Sequence, residues 1–330
     1  MLFKRINLQL FAELNTNTTL DSGLSVENKT FYDMTLIDEA SHNLVHDQFA
    51  QKRPIPKNGG KKIEFRKFAS LPKALTPLTE GVTPDGKKLS ASSIEAEVAQ
   101  YGDYIVQSDV LELTTIDNTI VEATKVLGRQ AGLTLDTITR NVIQSGTVVF
   151  YCPKADGTAV DSREGLDNTC TLSVDMVKRV VAFLKKNNAP KINGDYVAII
   201  HPYVAYDLMS DPAWIEAHKY ATPENIYEGE IGKIGGVRFV ETSEAKIYEG
   251  GVFGCLFLAE GAYGTTEVTG GGLETIIKQK GSAGTADPLD QRSSIGWKAI
   301  KTAEILVEPY LVRVECKTAL SGDSFEAEAN

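Results

Sequence analysis

Three patterns in the sequence predict an α+β fold. Two runs, Ile63 to Phe68 and Ser93 to Val98, alternate apolar and polar residues at the period of two that is typical of strands. From about Ile116 to Ser145, apolar residues recur mostly at steps of three or four, which predicts one long amphipathic helix. After Ser173, helical and strand-like segments alternate, and the chain closes in a β-rich run. Elements in this order indicate an α+β architecture.

The segment between the two strand-like runs predicts a hairpin with a long loop. It is punctuated by Pro72, Pro77, Gly81, Pro84 and Gly86. Ordinary hairpin loops have about two to five residues, and loops longer than about 12 residues are usually functional or disordered. Because such a hairpin has little of its own chain to pack on, we expect it to pack on another copy of the same protein.

The charge of the chain is unevenly distributed. With 44 acidic and 34 basic residues the formal charge is −10, which argues against tight nucleic-acid binding by the whole chain but is compatible with enclosing DNA. The stretch from Lys52 to Lys73 nevertheless carries eight basic residues and Glu64 as its one acid. We interpret it as docking on an acidic surface, such as a second subunit. Nucleic acid is the competing interpretation, for which Phe65 and Phe68 are the available stacking aromatics.

The sequence offers no convincing catalytic or metal-binding pattern. His42 and His46 stand four apart but lack the glutamate of H-E-x-x-H, so we predict surface or interface histidines. His201 has no nucleophile elbow to pair with and is predicted to end a strand. The glycine run at 269–273 lacks the lysine of a phosphate-binding loop. We therefore predict no enzyme activity, no metal and no cofactor.

The cysteines and the hydropathy pattern bear on the cellular compartment. Four widely spaced cysteines without a C-x-x-C pair predict reduced thiols; they are Cys152, Cys170, Cys255 and Cys316. The first 13 residues begin like a secretory signal, but polar residues interrupt the apolar run. We expect a soluble protein that is not exported and has no membrane partner.

Several blocks of the sequence resemble a known family. The blocks FYDMTLIDEASHNLVHDQFAQKRPIPKNGGKKIEFRKF, LPKALTPLTEGVTPDGKKL, YGDYIVQSDVLEL and TLDTITRNVIQSGT lie between Phe31 and Gly146. They resemble successive blocks of the N-four-like major capsid proteins of tailed bacteriophages. The closing WKAIKTAEILVEPYLVRVECKT is similar to the end of that family, and the opening MLFKRINLQLFAE resembles capsid N-termini from phages of Gram-positive bacteria.

The resemblance implies the tailed-phage capsid fold first described in Hong Kong phage 97. That fold has an N-terminal arm, an extended hairpin loop, a peripheral domain with a long spine helix, and an axial domain. On this chain we expect the arm at 1–30, a short helix and lead-in at 31–56, the extended loop at 57–108, the peripheral domain with its spine helix at 109–172, the axial domain at 173–258, strands returning to the peripheral domain at 259–320, and a flexible acidic tail at 321–330.

The resemblance also implies a function. Such a major capsid protein would assemble in the host cytoplasm, as hexamers and pentamers, into the icosahedral capsid of a virion. Its partners would be other copies of itself, enclosed double-stranded DNA in weak contact, and scaffold, portal and decoration proteins. Some relatives crosslink a loop lysine to an asparagine of a neighbour, but no motif here identifies such a pair. The alternative is an encapsulin-like shell protein of a bacterial nanocompartment, which encloses an enzyme cargo.

The hairpin supplies the candidate inter-subunit contacts. We expect its apolar side chains to be buried under an adjacent copy and its charged side chains to pair with that copy. The candidate contact residues are Lys61, Lys62, Ile63, Phe65, Arg66, Phe68, Leu78, Glu80, Lys87 and Lys88.

Overall fold

A computed structural model describes most of the chain. The described residues are 36, 44–56, 60–68, 71–77, 80–81, 83, 85–114, 119–218, 230–267, 272–282, 287–320 and 329–330.

The described residues contain both helices and strands. The strands are β1 (Gln51–Lys52), β2 (Lys62–Phe68), β3 (Ala91–Glu97), β4 (Ala99–Ser108), β5 (Val149–Tyr151), β6 (Tyr196–Ile200), β7 (Glu230–Ile234), β8 (Val237–Glu241), β9 (Ile247–Tyr248), β10 (Val252–Leu258), β11 (Tyr263–Glu267), β12 (Glu274–Lys278), β13 (Arg292–Ile305) and β14 (Leu311–Cys316). The α-helices are α1 (Asp109–Thr114), α2 (Thr119–Gln144), α3 (Val174–Lys186), α4 (Pro202–Ser210) and α5 (Pro212–His218).

The chain divides into two compact units. The first unit includes the described residues between 100 and 134 and between 272 and 299. The second includes the described residues between 45 and 99, between 135 and 267, and between 300 and 330. The predicted division of the chain into arm, loop, peripheral and axial domains remains a prediction.

In the first unit, β12 pairs antiparallel with the first half of β13, and β4 also pairs with β13. The Trp297 indole donates to Gln130 Oε1 of α2 at 3.3 Å, and Gln130 Nε2 donates to Asp103 of β4 at 2.6 Å. This second bond lowers the pKa of the Asp103 carboxyl. At Gly102 a Cβ would stand 2.5 Å from the Trp297 carbonyl oxygen, so a glycine is needed where β4 crosses β13.

The second unit is built on a seven-stranded mixed sheet. Its strand order is β5-β14-β10-β6-β8-β7, and β9 also pairs with β10. The strand β14 runs parallel to β5 and antiparallel to β10, and β6 runs parallel to β8. A separate pairing joins β1 to β11 in parallel and β11 to the second half of β13 in antiparallel.

Apolar clusters cover both faces of the seven-stranded sheet. Ala198 of β6 belongs to a cluster that includes Leu184 of α3, and its neighbour Ile199 belongs to a second cluster with Ile143 of α2. Successive residues of a strand point to opposite faces, so a strand covered on both sides must be apolar throughout. The β6 sequence YVAII, buried at every position, follows from this arrangement.

The structure confirms most of the predicted elements and corrects one. The strands around the loop, the long helix and the helix after Ser173 lie where the periodicity placed them; residues 115–118, at the start of the long helix, lie outside the described part. The helix expected within 31–56 does not extend over 44–50, where the chain forms a turn at 46–49. A buried polar cluster described below holds that turn, and periodicity does not reveal such a contact. Among the described helices none is long and apolar enough to cross a membrane.

All four cysteines are free thiols, as predicted, and all are buried. The Sγ atoms of Cys255 and Cys316 lie 3.7 Å apart on the neighbouring strands β10 and β14.

His201 directly follows the last residue of β6, as predicted, and it also caps a helix. It stands at the N-cap of α4, where its Nδ1 accepts from the Tyr203 amide at 3.1 Å, and its ring lies 4.9 Å from the ring of Phe253. The side chain is buried, with 8% exposure, and this burial lowers its pKa to about 4.

We expect His201 to make stability depend on pH below neutrality. A histidine whose pKa is lower in the folded state binds protons preferentially when unfolded, so its contribution is complete above about pH 6.5 and is lost as the pH falls towards 4. The loss should approach about 3 kcal/mol. His201→Asn keeps a capping acceptor but does not titrate. Urea unfolding of both proteins between pH 7.5 and 4.5 should show a smaller decline for the variant; equal declines would contradict this assignment.

Candidate functional site

The β2–β3 hairpin is an antiparallel pair with one face turned towards its own chain. Its register places Phe65 opposite Ile94 and Ile63 opposite Ala96. Phe65 and Ala96 are buried, Ile63 and Ile94 are half-buried, and the alternate residues Lys62, Glu64 and Arg66 are exposed. The period-two pattern of the sequence therefore corresponds to a buried and a solvated face.

Phe65 anchors the base of the hairpin. A Cβ at Gly264 of β11 would lie 3.0 Å from the Phe65 ring and 3.2 Å from Leu306 Cδ1, so the ring needs a glycine beneath it. The Arg53 guanidinium carbon lies 5.6 Å from the centre of the same ring, within the range of a cation–π contact. With 4% exposure, Phe65 is already buried within its own subunit.

The segment that leads into the hairpin is fixed by strand pairing. Gln51 and Lys52 of β1 stand opposite Gly264 and Thr265 of β11, and the Arg53 amide donates to the Thr265 carbonyl at 3.1 Å. Three residues after β1, Ile55 is buried. The chain therefore enters β2 from a defined position.

A buried polar cluster lies immediately before β1. His46 is fully buried; its amide donates to Asp136 Oδ1 at 2.8 Å, and its Nδ1 lies 2.6 Å from Asp136 Oδ2. Asp136 belongs to α2, and the Tyr263 hydroxyl of β11 donates to the His46 carbonyl. This burial corrects the prediction that His46 is a surface or interface histidine.

The same cluster contains a buried ion pair. Lys301 of β13 pairs with Asp47, whose other carboxylate oxygen accepts from the Thr139 hydroxyl at 2.7 Å. Lys301 also donates to the Leu135 carbonyl at 3.3 Å. We call the six residues the buried polar cluster: His46, Asp47, Asp136, Thr139, Tyr263 and Lys301.

The electrostatics of the cluster follow from its burial. Burial, together with the charges of Asp47 and Asp136, raises the pKa of the Tyr263 hydroxyl well above its ordinary value, so it remains a hydrogen-bond donor. Each charged group must keep its partner, since an unpaired charge in such a site costs several kcal/mol. Among the described residues, no group of three or more His, Cys, Asp or Glu side chains is arranged to hold a metal ion.

The far end of the hairpin is exposed. The described loop residues between β2 and β3 have no regular secondary structure, and Leu71, Leu75 and Leu89 are 55%, 82% and 64% exposed. Lys73, Lys87 and Lys88 are also exposed. The described part of the loop therefore exposes both apolar and basic side chains to solvent.

The charges of the two strands are partly neutralised within the hairpin. Lys62 Nζ lies 3.4 Å from Glu95 of β3, and Arg66 pairs with Glu64 at 3.1 Å. Hydrogen bonds from Ser93 and Arg66 lower the pKa of the Glu64 carboxyl. These pairs are exposed and contribute little to stability. The basic character that a neighbour would meet lies mainly at Lys61 and in the loop.

The structure places the ten predicted contact residues in three groups. Seven are at least partly accessible: Lys61, Lys62, Ile63, Arg66, Glu80, Lys87 and Lys88. The prediction that an adjacent copy buries Phe65 is corrected, because β11 and Leu306 already bury its ring within the subunit. Leu78 and the side chain of Phe68 lie outside the described part of the chain.

Sequence reasoning missed two features of the site. The exposed Leu71, Leu75 and Leu89 were absent from the predicted contacts, although apolar residues in a loop rich in proline could have indicated them. The buried polar cluster was also missed. Asp136 and Thr139 are buried polar residues on the otherwise apolar face of α2. This interruption was the one signal in the sequence for the buried polar cluster.

Residues 123–254, from α2 to β10, match the family model described as Phage capsid protein. Together with the fold, this match supports a phage capsid protein. Proteins of this family are structural components of a capsid, where copies of one chain assemble into a shell. No curated protein matches the sequence.

Solved structures show that this capsid protein has the tailed-phage capsid fold. The capsid structure of the cyanophage P-SCSP1u is 14% identical, with a TM-score of 0.64 over 82% of this chain and 87% of that chain. That of cyanophage Pam1 is 12% identical, with a TM-score of 0.65 over 86% and 93%. The SrpI encapsulin of Synechococcus elongatus PCC 7942 is 9% identical, with a TM-score of 0.54 over 98% and 100%.

We expect Lys301→Met to destabilise this capsid protein by about 3–5 kcal/mol, because it leaves Asp47 as a buried charge without its cation. Lys125→Met, which removes an exposed pair with Glu122, is the matched control and should cost less than about 0.5 kcal/mol. Urea unfolding measures both. Adding Asp47→Leu to Lys301→Met should recover part of the loss; a similar small cost for both lysine variants would contradict the assigned role.

Proposed function

We propose that this capsid protein assembles as hexamers and pentamers into an icosahedral shell around double-stranded DNA, and that the β2–β3 hairpin is the element with which one copy holds the next. The observation that carries the proposal is the difference between the two ends of the hairpin. Its base is packed through Phe65 on its own chain, whereas its loop presents exposed leucines and lysines. The loop thus has apolar surface to bury on a neighbour.

The leucines set the strength of one such contact. Burying a leucine side chain contributes about 1.5–3 kcal/mol when the side chain starts fully exposed. The partly exposed Leu71, Leu75 and Leu89 would therefore contribute a few kcal/mol together, from which the cost of ordering the loop must be subtracted. A single hairpin contact is weak. A closed shell remains stable because each copy binds several neighbours at once.

The charges guide assembly and keep DNA contacts weak. Lys61, Lys73, Lys87 and Lys88 are exposed on a chain whose formal charge is −10, so a neighbouring copy carries an overall excess of acidic groups. Complementary charges of this kind orient partners and set register. The same acidic excess disfavours tight binding to phosphates, so the shell encloses DNA without binding it tightly.

The finer parts of the proposal rest on the sequence blocks alone. Those between Phe31 and Gly146 support the N-four-like branch of the family. Assembly in the host cytoplasm and partnership with scaffold, portal and decoration proteins belong to the same proposal.

A nanocompartment shell is the second candidate, because the likeness to the SrpI encapsulin spans 98% of this chain. The family match at 123–254 favours the phage capsid. Particles isolated from producing cells should contain nuclease-protected double-stranded DNA. Particles that instead contain a protein cargo and no DNA would decide for the nanocompartment.

We expect deletion of residues 69–87 to leave a folded subunit that forms no shells. Three residues, 88–90, would then join β2 to β3, which is a common hairpin loop length, and Phe65 would keep its contacts. Urea unfolding should therefore stay within about 1 kcal/mol of the parent. Negative-stain microscopy under assembly conditions measures shell formation; normal shells from the variant would refute the role of the hairpin.

Leu75→Asp tests the loop with a single change. It replaces an 82% exposed leucine with a charge that cannot be buried on a neighbour, and a loss of about 1.4 kcal/mol per contact is a tenfold weaker association. Leu289→Asp, at a 74% exposed leucine in the first unit, is the matched control. Sedimentation should show at least tenfold less assembly for Leu75→Asp alone. Equal assembly by both variants would remove Leu75 from the interface.

A further inference from the structure

The edge of β9 is occupied by Asn330. The strand pairs with β10 on one side, where the Gly254 amide donates to the Lys246 carbonyl at 2.9 Å. Ile247 directs its main-chain groups to the opposite side. There its amide donates to Asn330 Oδ1 at 2.9 Å, and the Asn330 amide donates to the Ile247 carbonyl at 3.2 Å. Asn330 thus pairs with an edge that would otherwise leave two backbone groups open.

The asparagine side chain fits this edge at two points. While its Oδ1 accepts from Ile247, its Nδ2 donates to the Ala245 carbonyl at 3.2 Å. Lys246 Nζ donates to the main-chain oxygen of Asn330. An aspartate could accept at this position but not donate, and an alanine could do neither. The edge therefore distinguishes an asparagine from its near relatives.

A cleft of about 760 Å³ opens beside the β9 edge. Ala329 lines it together with Arg163, Lys246, Tyr248 and Lys317, among others. The Arg163 guanidinium lies 3.6 Å from the centre of the Tyr248 ring and donates to both oxygens of the buried Glu315, at 2.7 and 2.6 Å. The side chains of Arg163 and Tyr248 are therefore held in place, and a preorganised lining suits a site that binds a peptide.

The cleft has a basic character. Arg163, Lys246 and Lys317 line it. Burial and the nearby charges of Arg140 and Arg163 lower the pKa of the Lys246 amine. Glu164 and Glu249 also line the cleft and offset part of this charge. In the sequence, the residues just before Ala329 include Glu326 and Glu328, so a peptide of this sequence is acidic.

We propose that the β9 edge and the adjoining cleft form a docking site for an acidic peptide that carries Ala-Asn, and that residues of this chain's own tail occupy it in the free subunit. Recognition combines one main-chain hydrogen bond at the edge with side-chain capture by the asparagine amide. The site lies in the seven-stranded sheet and uses no residue of the hairpin, so it is independent of the proposed route of assembly.

Hydrogen exchange on the full-length, unassembled subunit tests the site. In Asn330→Ala the Ile247 amide loses its acceptor, and we expect exchange in peptides covering 245–250 to accelerate at least tenfold for one amide. Exchange at Ile199, in the centre of the sheet, should not change. Adding the acetylated and amidated hexapeptide FEAEAN to this variant should restore the protection, whereas FEAEAA should not.

Three results would count against the proposal. Unchanged exchange at 245–250 in Asn330→Ala would show that the edge is not occupied in solution. Equal protection by FEAEAN and FEAEAA would show charge attraction without recognition of the asparagine. Protection in the parent protein that rises with protein concentration would overturn the assignment to the chain's own tail. None of these results depends on whether shells form, so failure here is separable from failure of the hairpin proposal.

Discussion

The burial of Lys301 and Asp47 is the constraint on which the second unit depends. The two residues are 254 positions apart, and both are almost completely removed from water. Because desolvation of two charges is compensated only in good geometry, one arrangement of the lead-in, α2 and β13 is strongly preferred over others. The strand β1 begins four residues after Asp47, so the start of the hairpin inherits its position from this cluster. An apolar contact, which tolerates sliding, would fix that position less strictly.

In the proposed assembly, the hairpin serves both its own subunit and a neighbour. Its base must be rigid, and Phe65 over Gly264 achieves this with a contact that has no room for a Cβ. Its loop must fit a partner, and the described loop residues carry no regular structure and expose leucines. The rigid contact lies at the base of the hairpin and the partner contact lies in its loop. A change in the loop therefore need not disturb the fold of the subunit.

The sequence predicted features that arise from local periodicity. The hairpin strands, α2 and the fully apolar β6 were predictable because each repeats a pattern over many residues. Contacts between distant residues were not. No local pattern reveals that Phe65 is buried on β11 or that His46 meets Asp136, since both depend on how segments far apart in sequence pack together. Of the site, the sequence indicated the exposed basic residues but neither the anchor nor the leucines.

The order of strands has a consequence for synthesis on the ribosome. The strand β14 lies between β5 and β10, and Lys301 completes the buried polar cluster, yet both come from the last tenth of the chain. The second unit therefore cannot close until translation is almost finished, since its central pairings span most of the sequence. The residues of the hairpin are synthesised long before the rest of the second unit, on which the base of the hairpin packs. The proposed contacts of the hairpin with a neighbouring copy would therefore form only once the subunit is nearly complete.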